Sequence, residues 1–477
     1  MPFKGRIISL SPDQWIFLHK IARKTWSFFE TFIVREDNWL PPDNYQESPV
    51  ARIAHRTSPT NIGLSLLANL GAYDFGYISP SQLIERTTNT FGTMQRMERY
   101  RGHFYNWYDT QSLSPLMPKY VSTVDSGNLA GHILTLKQGL LSIINEKLYS
   151  PRVFEGLRDT MYVLEEKLDQ VELIQQFKTN VVAACDSGPI MLNTVSMYLS
   201  RLTAQSEKIL NDIGDENEES EIFWWANALA NQSAIAFHDL LALAPWLHMR
   251  NPPEKFNDLY NLIRGLPTLN ELSQIETEIL PRIDEWHQLE NTEEENDWLD
   301  LFKKNIIEGS RRAKERILVV QTLVKQCVDF SNIEFDFLFD RSQRLLSIGY
   351  NAEEHRRDLS FYDLLASESR LATFVGIAQG KLTQDSWFAL GRQLTNPGTS
   401  PVLLSWSGSM FEYLMPLLVM PTYENTLLDQ TNKAAVQRQI EYGKKRDVCW
   451  GISESGYNMV DASLNYQYRA FGVPGLG

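Results

Sequence analysis

The 477-residue chain is short of several things, and each shortage removes a class of function. It has three cysteines, Cys185, Cys327 and Cys449, far apart and in no metal or redox spacing. They read as reduced thiols of a cytosolic environment. Basic charge is not in surplus: 45 Lys and Arg stand against 59 Asp and Glu, a formal net charge of −14. Nucleic acid and anionic membrane surfaces select for clusters of Lys and Arg, so neither is the expected partner, whereas a neutral substrate suits this balance. The N-terminus carries only a short apolar run before polar residues and does not form a signal peptide. The greasiest stretches, 234–246 and 413–420, are too short or are interrupted by His, Asp or Pro, so nothing here spans a bilayer. There is no phosphate-cradling glycine motif, no zinc-type His/Glu helix and no Gly-x-Ser-x-Gly elbow. The eight His are scattered, and neither a metal nor a cofactor is expected.

With 43% hydrophobic and 22% charged residues, the chain is globular and long enough to bury a large core. Ser11-Pro12, Ser79-Pro80 and Ser150-Pro151 each place a capping hydroxyl before a Pro at a first helical position. Gln14 and Gln82 sit where a capping-box partner belongs. Helical periodicity covers 12–36, 60–73, 80–99, 128–148, 151–178, 190–212, 219–244, 254–290 and 293–328, then 361–379, 384–392, 409–420, 430–446 and 461–469. One strand pair stands out, 335–340 with 344–349, joined by a short turn. This pattern predicts an all-α fold of helical hairpins with a small β-hairpin, and no low-complexity linker divides it. The acidic runs 211–221 and 291–297 are solvated connections or helix starts.

Two blocks, 100–132 and 403–477, interleave Trp, Tyr, carboxylates, amides and Gly too irregularly for plain amphipathic helix. Aromatic faces beside paired carboxylates suit a carbohydrate: the apolar face of a pyranose stacks on a ring, and Asp or Glu serves its hydroxyls and its glycosidic oxygen. Glycoside chemistry needs two such carboxylates. Four are candidates. Glu454 lies in the Gly-flanked, irregular segment 450–457. Glu368 lies in a mostly apolar helix, either buried and functional or paired with Arg370 or another cation. Glu412 is otherwise a helix-start charge, and Asp125 otherwise an Asx-type cap on a helix beginning near Asn128. Trp107 and Tyr108, beside His103, Tyr105 and Asn106, and Trp406 offer stacking faces, while Trp224, Trp225 and Trp246 fall at core spacing. Arg56, with Thr57 and Ser58, either binds sugar hydroxyls or caps the next helix.

At these blocks the sequence resembles the cyclization domain of bacterial cyclic β-1,2-glucan synthases, of the glucoamylase-like glycoside hydrolase family 189. The strings that carry the resemblance are Arg56-Thr-Ser-Pro-Thr-Asn-Ile-Gly63, Arg101-Gly-His-Phe-Tyr-Asn-Trp-Tyr-Asp109 and Tyr120-Val-Ser-Thr-Val-Asp-Ser-Gly-Asn-Leu-Ala-Gly-His132. They continue with Tyr362-Asp-Leu-Leu-Ala-Ser-Glu-Ser-Arg370, Leu404-Ser-Trp-Ser-Gly-Ser-Met-Phe-Glu-Tyr-Leu-Met-Pro416, Trp450-Gly-Ile-Ser-Glu-Ser-Gly-Tyr457 and Tyr466-Gln-Tyr-Arg-Ala-Phe-Gly-Val-Pro-Gly-Leu-Gly477. The middle, 150–330, matches only in being helical.

The resemblance implies one (α/α)6 barrel over residues 1–477, acting on linear β-1,2-glucan with retention and closing it into a ring by transglycosylation. It carries Glu454 over as nucleophile and Glu368 as general acid/base. In the family that acid/base works through a substrate hydroxyl, which implies carboxylates farther apart than the roughly 5–5.5 Å usual for retention. The expected substrate-binding set is Arg56, His103, Tyr105, Trp107, Tyr108, Asp125, Asn128, Trp406, Glu412, Tyr413, Trp450, Tyr457 and Tyr468. Glycosyltransferase and phosphorylase-like domains flank this unit in the family, on the cytosolic face of the inner membrane. The chain has neither, and resembles an excised domain or a stand-alone relative. An endo-β-1,2-glucanase on the same barrel and a non-catalytic glucan-binding module are the alternatives.

Overall fold

The computed structural model describes residues 10–47, 50–168, 172–187, 191–214, 220–398, 400–453, 455–460, 466–469 and 472–477, with backbone alone at 173, 455–460 and 466–469. Its helices are α1 (Pro12–Phe32), α2 (Pro59–Asp74), α3 (Pro80–Arg96), α4 (Thr123–Ile143), α5 (Arg152–Glu165), α6 (Glu172–Asp186), α7 (Leu192–Ile213) and α8 (Glu221–Leu243). They continue as α9 (Asn257–Asn261), α10 (Leu269–His287), α11 (Glu293–Ser331), α12 (Arg370–Ala378), α13 (Asp385–Ala389), α14 (Met410–Leu414) and α15 (Leu427–Arg446). The all-α expectation holds. Strands among the described residues are short antiparallel pairs.

The helices pack in a closed circuit: α1 on α2, α2 on α4, α4 on α11, α11 on α8, α8 on α5, and α5 back on α1. α2 and α4 run the same way, because Thr60 meets Asn128, Gly63 lies against His132 and Leu70 lies against Gly139. Closed packing with like-directed helices separated in sequence is the geometry of a helical barrel. One apolar cluster fills it, from Ile62, Leu66 and Ile133 to Trp246, Phe302 and Leu323. Trp225 and Trp246 are buried there, as their spacing predicts. A second, smaller cluster of Leu365, Leu390, Leu403, Tyr413, Ala435 and Leu476 holds the C-terminal third together.

Capping boxes at Ser11/Gln14 and Ser79/Gln82 start α1 and α3 as the sequence predicts. The acidic run at 291–297 is the start of α11, with Glu293, Glu294 and Glu295 in its first turn facing the positive end of the helix dipole. Several expectations are corrected. The helix expected over 254–290 breaks at Gly265-Leu266-Pro267 and restarts at Leu269 under a Thr268/Glu271 capping box. The one over 151–178 is two helices, α5 and α6. Of the expected hairpin only Phe339–Asp340 and Leu345–Leu346 pair, and Gly349–Asn351 instead joins Tyr120–Ser122 and Arg356–Arg357 in a three-stranded sheet. The helix over 461–469 is in fact strand at Tyr466–Arg469, paired with Ser455–Val460.

Two corrections bear on the site. α4 begins at Thr123 rather than near Asn128, capped by the Ser122 hydroxyl on the Asp125 amide, so Asp125 stands inside the first turn and is not the cap. The helix expected over 361–379 is only α12, so Glu368 lies in the turn before it. Ser367 and Ser369 explain this: their hydroxyls bond each other at 2.7 Å and Ser367 Oγ takes the Ser369 amide at 3.1 Å, local bonds that compete with helix.

Candidate active site

Each part of the site is delivered by a different local device. Arg56–Thr57 pairs with Tyr108–Asp109, which brings Arg56 beside Trp107, its guanidinium carbon 5.4 Å from the indole centroid. Tyr120–Ser122 pairs with Gly349–Asn351 and runs into α4, so Asp125 and Asn128 fall one turn apart on that helix. Gly127 lies between them, and a Cβ there would stand 2.2 Å from the Cβ of Ala372 on α12. That close approach sets the turn carrying Glu368 against the start of α4.

A chain of hydrogen bonds results. Asn128 Nδ2 donates to Glu368 Oε2 at 3.3 Å and to Thr60 Oγ1 at 3.1 Å. Thr60 Oγ1 donates to Asp125 Oδ1 at 2.7 Å. The Asn106 amide donates to Asp125 Oδ2 at 2.8 Å and accepts from Trp107 Nε1 at 3.2 Å, in the amide orientation that satisfies both groups. Burial pushes the Asp125 carboxyl above the ordinary aspartate range, against the opposing pull of bonds from Ser122 and Thr60. Glu368 is half-buried, and Arg370 donates to the backbone carbonyls of Ser367 (3.0 Å), Glu412 (3.0 Å) and Tyr413 (2.6 Å). Burial lowers the Arg370 pKa to about 10.

Of the expected set, the structure places Glu368, Asn128, Asp125, Trp107 and Arg56 in one run of contacts. The expected binding set leaves out Thr60 and Asn106, which link them. The signal for Thr60 is its place in the first turn of α2, after the Ser58 cap and Pro59.

Other members of the predicted set support the site from behind. His103 is buried, its Nε2–H donating to the Glu334 carbonyl at 2.6 Å and its Nδ1 2.8 Å from Ser126 Oγ. Burial lowers its pKa to about 4, so the ring is neutral at pH 7. Tyr105 and Tyr108 are buried too, both bonded to Glu98, and burial raises the Tyr105 pKa to about 12. Tyr413 is in the small core, its hydroxyl 2.8 Å from the Leu403 carbonyl and 2.9 Å from that of Leu476. All four side chains are buried.

Glu412 organises a loop. Its carboxylate accepts from Ser405 Oγ (3.1 Å), the Trp406 amide (3.1 Å), and both the amide (3.0 Å) and Oγ (2.6 Å) of Ser407, at 4% exposure. Trp406 is thereby held out from the loop at 50% exposure, with Tyr362 edge-on at 6.4 Å between centroids. Glu412→Ala should leave these donors unpaired and cost about 2–4 kcal/mol, with a matching drop in the urea midpoint. An unchanged midpoint would show that the loop stands without it.

Trp450 is 53% exposed. Glu454 lies outside the described residues, and so do the side chains of Tyr457 and Tyr468. The residues just before Glu454 are pinned: Ile452 exchanges bonds with the Gln439 side chain on α15, and Ser453 Oγ accepts from the Phe411 amide at 3.1 Å. Among the described residues no His/Cys/Asp/Glu cluster could hold a metal and no helix is long and apolar enough to cross a membrane.

No family model matches the chain. Among curated proteins it is 36% identical over 466 residues to "Cyclic beta-(1,2)-glucan synthase NdvB" of Rhizobium meliloti (strain 1021), a match covering 96% of this chain and 15% of that protein. The chain thus spans about a seventh of the relative's length. Among solved structures it is similar to an endo-beta-1,2-glucanase from Chitinophaga pinensis (10% identity, 80% of this chain and 95% of that one, TM-score 0.23). A putative glucoamylase from Bacteroides fragilis NCTC 9343 matches at 17% identity over 33% of this chain and 38% of that one, TM-score 0.24.

Proposed function

Over nearly its whole length this chain is homologous to one part of a cyclic β-(1,2)-glucan synthase, and on that premise we propose that it is a retaining transglycosylase that closes linear β-1,2-glucan into rings. In this reading Glu454 attacks the anomeric carbon, the glycosidic bond breaks, and a glycosyl-enzyme forms. Glu368 supplies the proton to the departing chain, through a substrate hydroxyl. It then takes the proton back from the 2-hydroxyl that displaces Glu454, from the same chain for a ring or from another for redistribution. Trp107, Trp406 and Trp450 are the walls on which glucosyl rings stack and which keep water from competing.

The observation that carries the reading is the homology together with Glu368 itself: a half-buried carboxylate, held by the Asn128 amide and linked through Thr60 to Asp125. The partner is linear β-1,2-glucan, and we place the chain on the cytosolic side, beside the glycosyltransferase and phosphorylase-like domains of a full-length synthase. Incubation with linear β-1,2-glucan, with products resolved by mass, tests it. Species one water lighter than linear chains, with redistributed lengths, are expected. Short reducing oligosaccharides alone would make the protein an endo-glucanase, and unchanged glucan would make it a binding module.

A further inference from the structure

We propose that Asn128 is a positioning residue that holds Glu368 and ties it, through the Thr60 hydroxyl, to the third carboxylate of the site, Asp125. The geometry is directional. Both hydrogens of the Asn128 amide are engaged, one on Glu368 Oε2 and one on Thr60 Oγ1, and Thr60 passes its own hydrogen to Asp125 Oδ1. The cost is visible: Asn128 is 1% exposed, and its Oδ1 has no hydrogen-bond partner among the described residues. A buried acceptor left unpaired is unfavourable. Turning the amide over would point Oδ1 at Glu368 and Thr60, so this orientation persists because both neighbours need a donor.

The consequence is that Glu368 and Asp125 do not titrate independently. An amide N–H on Glu368 favours its ionised form. Among the described residues Arg370, on the same segment, lies within the electrostatic reach of both Glu368 and Glu412, and Asp125 is linked to Glu368 through Thr60 and Asn128. A substitution at position 128 changes this balance without adding or removing a group that touches the reacting bond.

The test is the titration of Glu368 itself, followed as the carboxyl stretch in infrared difference spectra of wild type minus E368Q between pH 3 and 9. In an N128D background the new carboxylate opposes ionisation of Glu368, and the midpoint should rise by about one unit or more. In an N128L background only the donor is lost, and the midpoint should rise less. Either variant that retains its near-ultraviolet circular dichroism decides the matter, and T60V, which removes the hydroxyl that accepts from Asn128 and donates to Asp125, is a third. A midpoint that is the same in every folded variant overturns the proposal. The readout does not require turnover: a shifted midpoint in a protein inert toward glucan would keep the relay and remove the activity assigned above. In the active enzyme, kcat in N128L should fall about tenfold with KM held, and the alkaline limb of kcat should move with the infrared midpoint. Loss confined to KM would make Asn128 a substrate contact instead.

Discussion

Replacing Glu368 with Gln should lower turnover of linear β-1,2-glucan by about 10²–10⁴-fold, the usual worth of a positioned acid/base, while the protein stays folded and still binds the glucan. The substitution keeps the side chain's size and leaves a carbonyl oxygen where Asn128 Nδ2 now donates, so the turn before α12 has no reason to move. What it removes is a proton that can be given and taken back. Glu454→Gln should silence the enzyme as well, through loss of the nucleophile. The two losses should not add, because groups that act in one step fail together. Calorimetric titration with glucan separates this outcome from misfolding: affinity within a few-fold of wild type, with no product by mass. A variant that keeps more than about a tenth of the wild-type rate would take Glu368 out of the mechanism.

A second large effect, on stability and turnover together, is expected at Gly127. An alanine there would put a methyl group 2.2 Å from the Ala372 Cβ and 2.4 Å from its Cα, distances that no side-chain rotation relieves because the clash is with backbone-fixed atoms. Either α12 moves away or α4 bends. Overpacking of this kind costs about 1–3 kcal/mol or more, which in a thermal scan should lower the unfolding midpoint by several degrees. Turnover should fall further than stability requires, because the helix that must move begins two residues after Glu368 and its displacement opens the bond to Asn128. A Gly127→Ala protein with a wild-type midpoint would mean that the two helices are not in the contact described.

The sequence shows the helices because periodicity and caps are local: Ser11/Gln14 and Ser79/Gln82 announce α1 and α3 on their own. It misleads where a local bond competes with a pattern. The apolar run around Glu368 looks helical, yet two serine hydroxyls hold it in a turn. Two- and three-residue strands such as Arg56–Thr57 and Tyr120–Ser122 have no period to read, although they aim Arg56 and deliver Asp125. In the candidate site, the residue types were legible and their exposure was not. His103, Tyr105, Tyr108 and Tyr413 have the chemistry of sugar contacts and are buried supports, because burial depends on which helices close over them. Glu412 shows the same limit: its sequence context offers a sugar-handling carboxylate or a helix-start charge, and six donors, among them the Ser409 amide of the capping box that starts α14, make it the second and the anchor of the loop before it.

Helix α4 is touched on one side by α2, with His132 against Gly63, and on another by α12, with Gly127 against Ala372 and Gly131 against Leu371. Little change in side-chain size is possible along that turn and a half without parting one neighbour or the other. Mutational tolerance is therefore uneven along the chain. The exposed, charged faces of α10 and α11 can drift freely, while the opening turns of α4 are fixed twice over, by packing and by the hydrogen bonds of Asp125 and Asn128. A change of specificity in this protein has room to arise in the loops that carry Trp406 and Trp450, with α4 as the part that stays the same.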